Sequence, residues 1–189
     1  MVPLLDLWLP ILLSAVLVFV ASSVIHMALP LHKDDCRKLP GEEQVLAALR
    51  AQKLTPGQYM FPRADSMKEM GAPEMVAKLN QGPVGNMNII PNGPIAMGKA
   101  LTQWFVLALV ISTCTAYVAG LGFAVGTDAL LVFRAASAVA LVGYAVSSAT
   151  DSIWKGVPWS TCAKFFFDGL VYALVTGGTF AWLWPAAAA

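Results

Sequence analysis

His26 and His32 are the only two histidines in the chain, and Asp34, Asp35 and Cys36 follow close behind them. Imidazole, thiolate and carboxylate are the donors that hold transition metals. A metal or redox site would therefore be built from His26, His32 and Cys36. Their spacing matches no zinc motif, and Pro30 interrupts any helical arrangement of the two rings. The plainer expectation is that His26 bonds a neighbour and that the stretch from His32 to Cys36 is solvated. On that expectation no metal and no other cofactor is bound. A haem held within one chain wants histidines on different, facing helices. Both here belong to the end of one apolar run, which disfavours it.

Arg134 and Asp168 fall inside other apolar runs. Ionisable groups at membrane depth are costly, which makes this couple the candidate lining of a polar pathway, with Thr113, Thr115 and Thr176 beside it. Each has a local partner in the sequence: Asp128 lies near Arg134, and Lys164 precedes Asp168 by one helical turn. The couple sits near opposite membrane faces and cannot form one ion pair. No nucleophile elbow and no phosphate-cradling glycine loop is present. No catalytic residue is nominated, and the chain does not read as an enzyme.

The elements that must position these groups are apolar helices. Of 189 residues, 58% are hydrophobic and 12% charged, about half the charge of a soluble domain. The apolar residues form blocks from Leu7 to Met27, Leu101 to Val125, Ala129 to Ala149 and Phe165 to Trp184. Each reaches the ~20 residues that cross ~30 Å of hydrocarbon, where only helices satisfy their own backbone. The expected fold is all-α and integral to the membrane, with a first helix over 5–29 and a three-helix block over 100–189 (helices 100–126, 129–149 and 161–185). Trp8, Trp182 and Trp184 mark one interface; Trp104, Trp154 and Trp159 mark the other. Small residues recur every fourth position as Gly169, Ala173, Gly177 and Ala181, and again as Ala108, Ser112, Ala116 and Gly120. Such stripes let helices approach closely, and the short links favour antiparallel neighbours. Together they point to an antiparallel four-helix bundle.

Eleven of the twelve Lys and Arg lie in 30–99 and 150–164. Positive charge collects on the cytoplasmic side, so those segments are expected there, with both termini outside. The first run lacks the basic start of a secretory signal and has its cations after it, as a retained anchor does. Cys114 should be a packing residue in mid-membrane, while Cys36 and Cys162 should lie near the surface on the charged side.

The 30–99 segment is expected to be a small polar subdomain of mixed α/β character. Leu39 to Arg50 has apolar Val45, Leu46 and Leu49 at helical spacing, with Glu42 and Glu43 at the end where the dipole favours them. Gln58 to Phe61 reads as a strand ended by Pro62. Pro73 to Asn80 reads as a second helix followed by Gly82. Val84 to Ile90 reads as extended.

Several segments in order carry a resemblance: Val24 to Leu31, Leu39 to Arg50, Pro56-Gly57-Gln58-Tyr59-Met60-Phe61-Pro62, and Gly82-Pro83-Val84-Gly85. This order resembles an uncharacterised family of small bacterial four-helix inner-membrane proteins. The likeness is best over residues 20–100, and the last three helices share only the pattern. It implies residence in the bacterial inner membrane and carries over no catalytic or binding residue.

The expected function is a non-catalytic accessory or scaffolding subunit of a larger membrane assembly. Its partners would be the lipid bilayer and other membrane subunits or a second copy, and not nucleic acid, since a net charge of +1 recruits none. The alternatives are a small oligomeric transporter or channel using Arg134 and Asp168, and a metal or redox site at the loop-side end of the first helix.

Overall fold

A computed structural model describes residues 1–187, and Ala188 and Ala189 at the end of the 100–189 block lie outside them. The chain is mostly helical, with one two-stranded sheet. In chain order the elements are α1 (Trp8–Ala28), α2 (Glu42–Ala51), β1 (Gly57–Phe61), α3 (Met67–Met70), α4 (Pro73–Gln81), β2 (Gly85–Ile89), α5 (Met97–Gly122), α6 (Ala129–Leu141), α7 (Ser148–Lys155) and α8 (Trp159–Trp182). A one-turn π segment, Val142–Val146, joins α6 to α7, so Ala129–Lys155 is one long helix. Four helices are long and apolar enough to cross a membrane: Leu4–Ala28, Met97–Gly122, Ala129–Lys155 and Trp159–Trp182. At about 1.5 Å per residue each exceeds ~30 Å of hydrocarbon.

The chain divides into two compact units. The first holds Met1–Asp35, Ala96–Ser152 and the chain from Val157 onward. In it α1 touches α5 and α8, and α6 touches the same two helices. The stripes of small residues lie inside these contacts. Ala108, Ser112, Ala116 and Gly120 are buried on α5, and Gly169, Ala173 and Gly177 on α8, with Ala181 half-buried. A Cβ on Gly169 would stand 2.8 Å from Ala145 Cα, and one on Gly177 would stand 2.8 Å from Phe133 O. Backbones therefore meet where only glycine fits. Val2, Leu7, Val132 and Phe180 form one buried cluster, and Ala15, Val18, Ala108 and Tyr172 belong to another. Between α1 and α5, Ser14 donates to Ser112 Oγ at 2.9 Å with both side chains buried.

The outer surfaces of these helices stay apolar, with Val20, Val24, Leu107 and Val110 exposed. Trp8, Trp154, Trp159 and Trp182 are exposed as interfacial indoles should be. Trp104 and Trp184 differ. Trp104 is half-buried and donates its Nε1–H to Ser22 Oγ at 2.8 Å; Trp184 is buried and donates to Ala124 O at 2.9 Å. A hydrogen-bond partner inside the chain outweighs the headgroup region for these two rings. Cys114 is exposed, against its expected packing role, and Cys162 is buried among its neighbours.

The second unit holds Cys36–Ile95 and Ile153–Gly156. β1 and β2 pair antiparallel, with Gly57 opposite Ile89 and Phe61 opposite Gly85. The α2, α4 and strand segments fall where the pattern puts them, within a few residues. The one-turn α3 does not follow from apolar periodicity. Its cause is a cap: Ser66 Oγ accepts from Glu69 N–H at 3.1 Å.

Candidate functional site

The first unit brings His26, His32 and Asp168 together, with one donor atom from each all within 4.8 Å of one another. The positions follow from local structure. His26 stands in the last turn of α1, and Leu29 leaves that helix in an extended conformation. Pro30 then starts a single 3-10 turn, Pro30–His32, because its fixed φ suits a first helical position. That turn folds His32 back, so the two rings lie with centroids 4.5 Å apart. Asp168 enters from the third turn of α8 (Trp159–Trp182), about 14 Å from the helix start.

His32 Nε2 is 2.9 Å from Asp168 Oδ2, and His26 Nε2 is 3.7 Å from the same oxygen. The His32 and Asp168 side chains are 12% and 3% exposed, while His26 is 42% exposed. Despite the 2.9 Å approach, His32 Nε2 and both Asp168 oxygens have no hydrogen-bond partner. The short contact fails on direction, since a hydrogen on Nε2 would not point at the oxygen.

The other ring nitrogen of His32 is already engaged. His32 Nδ1 lies 2.6 Å from Asp35 Oδ2, and Lys164 Nζ donates to Asp35 Oδ1 at 2.6 Å. The lysine hydrogen bond holds the Asp35 carboxyl below its ordinary value of 3.8; burial opposes this and the His32 contact adds to it. An ionised Asp35 accepts the Nδ1 hydrogen, which leaves Nε2 as a lone pair in neutral His32. That nitrogen lies 2.9 Å from an Asp168 oxygen without an aligned hydrogen bond between them. Phe165 stacks on the His32 ring at 5.3 Å and fixes its plane. Tyr172 OH is 3.5 Å from His26 Nε2.

A cleft of about 1030 Å³ opens beside the cluster. Its wall includes His26 and Asp168, the aromatic rings Trp104, Tyr144 and Tyr172, and the apolar Leu101. The three rings lean on one another with centroids 5.6–6.1 Å apart. Tyr144 belongs to the π segment, and such bulges occur often at functional sites.

The sequence-derived candidates separate clearly. His26 and His32 meet; Cys36 is exposed and outside the cluster. Asp168 joins them, so it is a ligand-type residue of the histidine site. Lys164 bonds Asp35 and not Asp168: the single turn after Pro30 delivers a nearer, hydrogen-bonded carboxylate to the ammonium. Arg134 is exposed, and Asp128 caps α6 by accepting from Leu130 and Leu131 N–H. Thr113, Thr115 and Thr176 each donate to the carbonyl four residues back, as helical threonines in hydrocarbon do. Sequence reasoning sets Asp35 beside the histidines only as one carboxylate among the possible donors, because its bond to Lys164 needs a fold contact 129 positions away. No protein-family model, curated protein or solved structure matches this chain.

Proposed function

We propose that this is a multi-pass membrane protein whose working part is a divalent metal centre formed by His26, His32 and Asp168. Two imidazoles and one carboxylate are the donors of zinc hydrolytic sites and of non-haem iron oxygenases alike, with positions left for an exogenous ligand. Bonds of about 2.0–2.2 Å at tetrahedral angles separate donor atoms by about 3.4 Å, and the observed 2.9 and 3.7 Å bracket that value. One observation carries the reading: a buried carboxylate and a buried imidazole nitrogen stand 2.9 Å apart with no hydrogen bond to either. Two such acceptors are costly to bury together unless a cation lies between them. Asp35 supplies the carboxylate–histidine support that orients metal-bound imidazole.

The four helices cross as an antiparallel bundle in the bacterial inner membrane, with 30–99 and 150–164 cytoplasmic, on the strength of the cation distribution. The metal centre then lies near the cytoplasmic end. The small-residue stripes are used within the chain, at Gly169 against Ala145 and Gly177 against Phe133, which favours a self-contained bundle over the accessory role, and the convergent polar groups favour the metal role.

The test is metal binding by the purified protein in detergent, stripped with chelator and titrated with Zn²⁺. One ion per chain should bind with saturation, and Asp168→Ala and His32→Ala, with circular dichroism unchanged, should lose it. Wild type binding no more than Asp168→Ala ends the proposal.

A further inference from the structure

The cleft beside the cluster needs an occupant of defined chemistry. We infer that the metal centre binds the carboxylate of a single long-chain acid that enters the cleft sideways from the bilayer. This rests on the metal reading given above and deepens it.

The cleft wall carries groups of two characters. His26 and Asp168 form part of it, while His32 does not. Two of the ligand-type residues are therefore reachable from the cleft, and the third holds the ion from behind. Met27, Met97 and Leu101 also line it, and they are 86%, 59% and 43% exposed. Those three residues belong to the end of α1 and the start of α5, both spanning helices, so the cleft opens there between apolar helix surfaces. A molecule arriving there comes from the membrane edge at that end of the helices, where the head of an amphiphile lies. The volume of about 1030 Å³ matches the upper range of small-molecule sites, ~300–1,000 Å³.

Charge selects the head. Two neutral imidazoles and one carboxylate around a divalent ion leave one positive charge, which an anionic oxygen donor cancels. Chain transfer from lipid into an apolar cleft gains almost nothing, because lipid tails are as apolar as the wall. Selectivity must therefore come from the head at the metal. The aromatic wall of Trp104, Tyr144 and Tyr172 gives the first part of the chain a rigid surface to lie against.

The experiment uses the full chain, zinc-loaded, in phosphatidylcholine nanodiscs, with a sixteen-carbon carboxylic acid carrying a mid-chain diazirine as probe. After irradiation, labelled residues are mapped by mass spectrometry and zinc is measured on the same discs. Label should concentrate on cleft residues such as Met97 and Leu101. Unlabelled hexadecanoate should displace it, and the methyl ester should compete about tenfold or more weakly, as loss of one charged contact implies. Ala100→Trp, at a cleft-lining residue outside the cluster and with its zinc content measured alongside, should abolish the selective label, and Val110→Trp on the exposed face of α5 should not. Chelation of zinc should lower cleft labelling. Label spread evenly over outward apolar residues in zinc-loaded discs overturns this inference alone, as does equal competition by acid and ester. Discs that hold no zinc overturn the metal reading beneath it and, with it, the anchor for the acid.

Discussion

Gly177 and Gly178 are adjacent on α8, yet alanine should have opposite effects at the two. A Cβ on Gly177 would stand 2.8 Å from Phe133 O and 3.0 Å from Ser137 N, both backbone atoms of α6, and would collide with Ser137 Oγ. Ordinary C···O contacts run at about 3.3–3.6 Å, so α8 and α6 must part by roughly half an ångström or more. A serine hydroxyl can rotate away, but the carbonyl and amide cannot. Overpacking of this kind costs about 1–3 kcal/mol. A Cβ on Gly178 meets nothing within 4 Å, and replacing a mid-helix glycine with alanine gains about 0.5–1 kcal/mol. That gain applies at both positions, so the expected net for Gly177→Ala is a loss of about 1–2 kcal/mol, or roughly 2–8 °C in melting temperature for a chain of this size. The assay is thermal unfolding of both variants in one detergent, followed by fluorescence and size-exclusion. Equal shifts of the same sign would refute the claim that α6 and α8 touch backbone to backbone at this point.

Three further outcomes follow from the site and its supports. Asp35→Asn should weaken Zn²⁺ binding about 10–100-fold without abolishing it, read by competition with a chromophoric chelator; an unchanged affinity removes Asp35 as the positioning residue. The folded Asp35 carboxyl is held low by Lys164, so its pairing stabilises the fold above the ordinary carboxylate value and loses that effect as pH falls through the lowered one. The stability gap between wild type and Asp35→Asn, measured without metal by denaturant melts, should therefore be widest near neutrality and close in acid; a gap that grows in acid contradicts the pairing. The buried Ser14–Ser112 hydrogen bond at 2.9 Å should show a coupling of about 0.6 kcal/mol in a double-alanine cycle, as interhelical bonds in membrane proteins do, and zero coupling would place α1 and α5 out of register.

Helix content was legible because its signal is continuous. Twenty apolar residues with interfacial tryptophans can be little else in a chain with so few charges, and all four spans appear as helices. Glycine and alanine at every fourth position on α8 marked the contact face for the same reason, since periodicity is a local property. The site was legible only in part. His26, His32 and Asp168 each stood out as unusual groups, yet the sequence separates the last from the others by well over a hundred residues. Pairing Asp168 with Lys164 by helical spacing was reasonable locally. It fails because the turn after Pro30 brings Asp35 to that lysine. Trp104 and Trp184 were legible only in part: an indole near a helix end reads as interfacial, and the hydrogen bonds to Ser22 and Ala124 appear only with the packed neighbours. The π segment at Val142–Val146 carries no marker in composition at all.

The most direct test of the account is X-ray absorption on the zinc-loaded protein at one ion per chain. A shell of nitrogen and oxygen donors near 2.0–2.1 Å with the outer-shell scattering of two imidazoles, falling to one imidazole in His26→Ala, is the expected spectrum. A shell of oxygen donors without imidazole scattering, or a spectrum in His26→Ala unchanged from that of the wild type, would contradict the His26–His32–Asp168 centre.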